Sequence, residues 1–208
     1  MRKLIILTVI ALAAMAVGAT TVLADHGADD PANHDQQDHA ACVNANGGDD
    51  ESGDQGDKVR SAEHGTSGHD AIEGSDSADD DQGGRGDDEI DGNGGDDHLD
   101  GDQGDDDICG DQGDDAMNGG SGNDQMNGGA GDDVENGQAG DDDVNGDSGD
   151  DTLSGGSGND TVSGGPGNDR IKVRDGRRDR VSCGRGNDRV KADRKDKVAK
   201  SCEHVSRG

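Results

Sequence analysis

The feature that most constrains this chain is a nine-residue clock. From residue 83 to residue 172 it consists of ten nonapeptides in unbroken succession: GGRGDDEID, GNGGDDHLD, GDQGDDDIC, GDQGDDAMN, GGSGNDQMN, GGAGDDVEN, GQAGDDDVN, GDSGDDTLS, GGSGNDTVS and GGPGNDRIK. Every unit has Gly at places one and four and Asp at place six, and place five is Asp or Asn throughout. Nine of the ten carry Ile, Leu, Met or Val at place eight. Two weaker units stand in frame ahead of them, GTSGHDAIE from Gly65 and GSDSADDDQ from Gly74. A period this short, kept without an insertion, predicts a solenoid in which each unit packs only on its neighbours.

Composition alone would predict disorder. The 208 residues carry a formal charge of -30, 39 glycines, no aromatic residue and 25% hydrophobic content. Such a chain has too little apolar surface to offset its conformational entropy. A conventional globular core is therefore not expected. The acidic balance also argues against nucleic acid as a partner and points to cations.

Each nonapeptide divides into six turn residues and a three-residue strand with one side chain facing in and two facing out. Such a strand is stable only inside a sheet, so successive units are expected to alternate between two facing sheets, two units making an 18-residue coil. Ile90, Ile108, Met126, Val144 and Val162 would then line one sheet, and Leu99, Met117, Leu153 and Ile171 the other. Glu135 falls where this pattern demands an aliphatic residue, with Val134 before it. Either the strand shifts by one residue there or the interior has a local fault. Nine aliphatic side chains cannot order 90 residues unaided, and stacked turns bring carboxylates to about 5 Å. A hard divalent cation resolves both problems. Calcium takes six to eight oxygens from carboxylates and carbonyls in an adjustable geometry, whereas magnesium demands a tighter octahedron. Thiolates and imidazoles are too few for zinc or copper.

The pattern G-G-x-G-x-D-x-U-x resembles the repeats-in-toxin (RTX, haemolysin-type) calcium-binding nonapeptide. The resemblance implies an all-β, right-handed parallel β-roll that binds several calcium ions between the turn of one repeat and the turn two repeats later. It implies that Asp88, Asp97, Asp106, Asp115, Asp124, Asp133, Asp142, Asp151, Asp160 and Asp169 supply the side-chain ligands, with carbonyls of the glycine-rich turns completing each site.

The flanks read differently. Residues 1–24 have Arg2 and Lys3, an apolar run from Leu4 to Val17 and small residues before Asp25, the signature of a cleaved signal peptide; an uncleaved anchor is the alternative. Residues 25–64 read as a flexible acidic arm. Residues 65–172 are the repeat region, regular from 83. Residues 173–208 reverse the charge, with 12 Lys/Arg against 6 Asp/Glu, yet keep a loose rhythm in "DRV", "NDRV" and "DKV". They read as a basic cap on the same solenoid. Cys183 and Cys202 lie 19 apart, one coil plus one residue, which suits a disulfide clamping that cap. Cys42 and Cys109 are then left as a possible second pair. The sequence shows no H-E-x-x-H and no G-x-S-x-G, so no enzyme is expected. The expected product is a secreted, non-enzymatic calcium-binding protein with no membrane span once the leader is removed. A calcium-dependent adhesin with a protein or glycan partner and an acidic disordered ion buffer are the alternative readings.

Overall fold

The computed structural model describes Val59–Arg60 and residues 64–208; the expected signal peptide, most of the expected arm and Cys42 lie outside the described residues. All described residues belong to one compact unit, Ala40–Gly208. They form a parallel β-solenoid of two facing sheets, nine strands in one and eight in the other, with every pairing parallel. No helix occurs among the described residues, so none is long and apolar enough to cross a membrane.

The register is the nonapeptide frame made visible. One sheet stacks Ile72, Ile90, Ile108, Met126, Val144 and Val162 directly over one another at 18-residue intervals. The other stacks Asp81, Leu99, Met117, Glu135, Leu153 and Ile171 in the same way. Both inward columns expected from the frame are reproduced, and all nine of their aliphatic side chains are buried. The strand does not shift at Glu135. Its register runs straight from Met117 to Leu153, leaving Glu135 1% exposed and Val134 52% exposed. Backbone pairing on both sides outweighs the preference of one residue, since a one-residue slip would break the ladder with two neighbouring coils at once.

Residues 173–208 continue both sheets. The interval lengthens to 19 at Val162↔Val181 and Ile171↔Val190, then shortens at Val181↔Val198 and Val190↔Val205. Cys183 and Cys202 form a disulfide with Cα atoms 5.1 Å apart, as adjacent coils place them. Here the interior gains apolar side chains. Val173, Cys183 and Ala192 are fully buried where the regular units have bare place-one glycines. At the other end, Val59–Arg60 pair with Ile72–Glu73 and extend the nine-stranded sheet ahead of residue 65. Cys109 is also disulfide-bonded, with its partner outside the described residues.

The outward positions change in sign along the solenoid. On one sheet the stacked series is Asp80, His98, Ala116, Val134, Thr152, Arg170, Arg189. On the other it is Glu89, Asp107, Gln125, Asp143, Thr161, Arg180, Lys197.

Turns stack as closely as backbone allows. A Cβ at Gly104, where φ is +142°, would lie 1.5 Å from the carbonyl oxygen of Gly86 in the preceding coil. Gly176 shares the left-handed conformation, φ +90°, but a Cβ there would meet nothing within 4 Å. Gly176→Ala is therefore expected to cost only the conformational penalty, about 1–2 kcal/mol. Gly104→Ala adds a backbone clash and is expected to cost at least about 3 kcal/mol. Thermal unfolding of the two variants in calcium checks the difference; equal losses would show that the turns are not stacked this tightly.

Candidate metal centre

Three places of each nonapeptide point inward: one, six and eight. Place one must be bare for place six to fit. A Cβ at Gly101 would lie 2.4 Å from Oδ2 of Asp106 in the same unit, and one at Gly110 would lie 2.4 Å from Oδ2 of Asp115. Asp88, Asp97, Asp106, Asp115, Asp124, Asp133, Asp142, Asp151, Asp160 and Asp169 are all brought inside, each no more than 2% exposed. One oxygen of each carboxylate is spent on the fold. The Asp88 N–H donates to Asp106 Oδ1 at 2.8 Å, the Asp97 N–H to Asp115 Oδ1 at 2.8 Å, and the Asp106 N–H to Asp124 Oδ1 at 3.0 Å. The same bond recurs through Asp169 N–H to Asp188 Oδ1 at 3.0 Å.

The second oxygen has no partner. Oδ2 is buried and unbonded in all ten of these aspartates and also in Asp179 and Asp188. The column is closed at both limits. Asp70 Oδ2 accepts the Thr66 N–H at 2.5 Å, Asp79 Oδ2 accepts the Ser75 N–H at 2.7 Å, and Asp196 Oδ2 accepts the Asp193 N–H at 2.5 Å. A backbone difference accompanies the opening. The place-two residue has positive φ in all ten regular units, including Asn93, Asp102, Asp111, Gln138 and Asp147, but not at Thr66 or Ser75. Frame counting missed Asp179 and Asp188 because the inserted residue after Lys172 breaks the period. Each nonetheless stands before the same strand triplet, Arg-Val-Ser or Arg-Val-Lys.

Burial raises these acids. It pushes Asp97, Asp115, Asp124, Asp133, Asp160 and Asp169 up to about 6, and Asp106, Asp142, Asp151 and Asp179 up to about 7. The N–H from the preceding coil pulls each down, and neighbouring carboxylates push it up again.

Place five makes a second ladder, exposed and running the other way. The Asp105 N–H donates to Asp87 Oδ1 at 3.0 Å, the Asn123 N–H to Asp105 Oδ1 at 2.6 Å, and the Asp141 N–H to Asn123 Oδ1 at 2.9 Å. The sequence carried the signal for this ladder. Place five is Asp in seven units and Asn in three, two residues that share a side-chain oxygen acceptor but not a charge.

Backbone carbonyls of the turns are the other oxygens on offer. Among the described residues, no backbone hydrogen bond of the turns ends on a place-four or place-five carbonyl of the ten regular units. The place-four carbonyls point at the bare glycine of the next coil, as Gly86 does at Gly104. No three His, Cys, Asp or Glu side chains converge among the described residues, so an ion here must draw mostly on carbonyls. Turn carbonyls that accept no backbone hydrogen bond, with His69 Nδ1 lying against that of Asp87, and one open carboxylate oxygen per unit are the donor types of a hard cation such as calcium.

The raised acids set a pH dependence for the metal-free fold. A carboxyl whose folded pKa lies above its unfolded value contributes most stability below the unfolded value, near 4. That contribution is lost as pH rises through about 6 to 7. Circular dichroism in calcium-free buffer is expected to show more β-structure at pH 5 than at pH 8, with calcium removing the difference. A metal-free chain whose β signal strengthens toward pH 8 would contradict this.

The family model described as RTX calcium-binding nonapeptide repeat (4 copies) matches residues 82–108, 101–135 and 136–171. Neither a curated protein nor a solved structure matches the chain. The matched segments coincide with the stacked turns and their inward aspartates, and residues 82–171 are an array of RTX calcium-binding nonapeptide repeats.

Proposed function

We propose that this chain is an exported, non-enzymatic calcium-binding protein whose solenoid becomes stable when calcium enters between its stacked turns. The observation that carries the reading is the column of buried, unpartnered Oδ2 atoms from Asp88 to Asp188. A buried carboxylate oxygen with no donor costs free energy at neutral pH, and a bound ion removes that cost. The side-chain ligands are the ten expected aspartates together with Asp179 and Asp188, and the place-four and place-five carbonyls contribute the rest. Because only the folded state assembles these groups, ion binding adds directly to folding free energy. Export is supported by the leader-like sequence of residues 1–24 and by the Cys183–Cys202 disulfide, which suits an oxidising compartment. The non-enzymatic reading is supported by the regular period of the carboxylates, which accounts for their abundance without a catalytic pair.

Two adjacent substitutions separate the ion ligand from its neighbour. Asp115→Asn keeps the oxygen that accepts the Asp97 N–H and removes the inward charge. It is expected to raise the calcium midpoint of folding on the order of tenfold, equivalent to about 1.4 kcal/mol. Asp114→Asn alters the exposed ladder to the residue already present at Asn123, Asn159 and Asn168, and is expected to leave the midpoint nearly unchanged. Equal shifts would sink the assignment of place six. The unsubstituted chain is expected to contract on going from chelator to millimolar calcium, read as hydrodynamic radius by light scattering. An unchanged radius would sink the coupling of folding to calcium.

A further inference from the structure

The one unit that departs from the repeat does so at its most protected position. Glu135 is 1% exposed, stacked between Met117 and Leu153, and neither of its side-chain oxygens has a hydrogen-bond partner. The unit inverts ordinary burial, because its Val134 points outward at 52% exposure. Exchanging these two neighbours would repair it, so the chain keeps a carboxylate where an aliphatic side chain was one position away.

That carboxylate is aimed at another. Gly128, Asp133 and Glu135 occupy places one, six and eight of a single unit. A Cβ at Gly128 would meet Asp133 Oδ2 at 2.4 Å and Glu135 Oε1 at 2.8 Å, so the two oxygens converge over the same bare glycine. Asp133 Oδ1 is occupied by the Asp115 N–H, which leaves Oδ2 open. The backbone donor that bears on Glu135, the Gly128 N–H, is given to Asn145 O at 2.9 Å. The charged groups that bear on Glu135 are Asp133, Asp151 and Asp147, all of them acids.

We infer that Glu135 Oε1 and Asp133 Oδ2 jointly hold an interior divalent cation, a site that the other regular units, with aliphatic side chains at place eight, do not possess. The all-oxygen donor set selects a hard ion, and calcium is the candidate because this inference rests on the calcium reading of the turns for the identity of its ion. Asp133 Oδ2 would bridge this ion and the ion of its own turn, and the interior ion would satisfy Glu135 Oε1 and counter the surrounding negative charge. It would sit in the middle of the array, tying the interior of one coil to its turn.

The test counts ions on the full chain. Bound calcium per molecule is measured by equilibrium dialysis for the unsubstituted protein, Glu135→Gln and Glu135→Leu. Glu135→Leu restores the repeat consensus and is expected to fold at least as well, so a loss of binding in it is not a loss of structure. Both variants are expected to bind one ion fewer at saturation. Unchanged counts in both variants, against an unsubstituted chain that does load calcium, would overturn this inference alone and leave Glu135 a protonated core residue. An unsubstituted chain that binds no calcium would overturn the reading of the turns and this one with it.

Discussion

The structure depends on a shortage of hydrogen-bond donors. Each coil places a carboxylate above the carboxylate of the coil before it, and each carboxylate has two oxygens to satisfy. The turn offers few N–H groups. That of place six goes to the next aspartate, that of place five to the outer ladder, that of place four to a place-three carbonyl, and that of place seven to a place-six carbonyl. At Asp70 and Asp79 the place-two N–H closes the account. In the regular units, with place two left-handed, it does not, and one oxygen per turn stays open over the whole array. The polypeptide thus builds a regular demand that its own backbone cannot meet.

Residues 173–208 meet the same stacking problem by another route. Val173, Cys183 and Ala192 fill the interior where the array has glycine, and a covalent bond ties Cys183 to Cys202 one coil away. Ions would hold the acidic coils, while apolar contact and a disulfide hold the basic ones. The change of composition at Lys172 is a change in the means of cohesion within one continuous pair of sheets.

Much of this was legible in the sequence because the period is rigid. Place eight named both inward columns residue by residue, and place six named the aspartate of every regular turn, though not its burial. Some features lay outside what a period conveys. The frame could not say whether Glu135 would shift its strand, because that outcome balances one buried carboxylate against pairing with two neighbouring coils. It could not show that Oδ1 and Oδ2 of each aspartate have different fates, since that depends on hydrogen-bond direction. Asp179 and Asp188 escaped because counting in nines fails across an insertion, whereas the sheets absorb it in a turn. The place-five ladder was within reach, since Asn in place of Asp at three of the ten units already indicated an acceptor whose charge is dispensable.

The graded outward columns give the solenoid an electric dipole along its axis. Glu89 and Asp107 stand toward one end, Arg180 and Lys197 toward the other, with uncharged Gln125 and Thr161 among the residues between them. The net charge and the dipole are separable quantities. Cations entering the interior lower the monopole, but they are spread along the array and leave the outward end groups as they are. As the overall charge is neutralised, orientation near a charged surface comes to be governed by the difference between the two ends. A surface of either sign would then meet this molecule end-on, and the sign would decide which end.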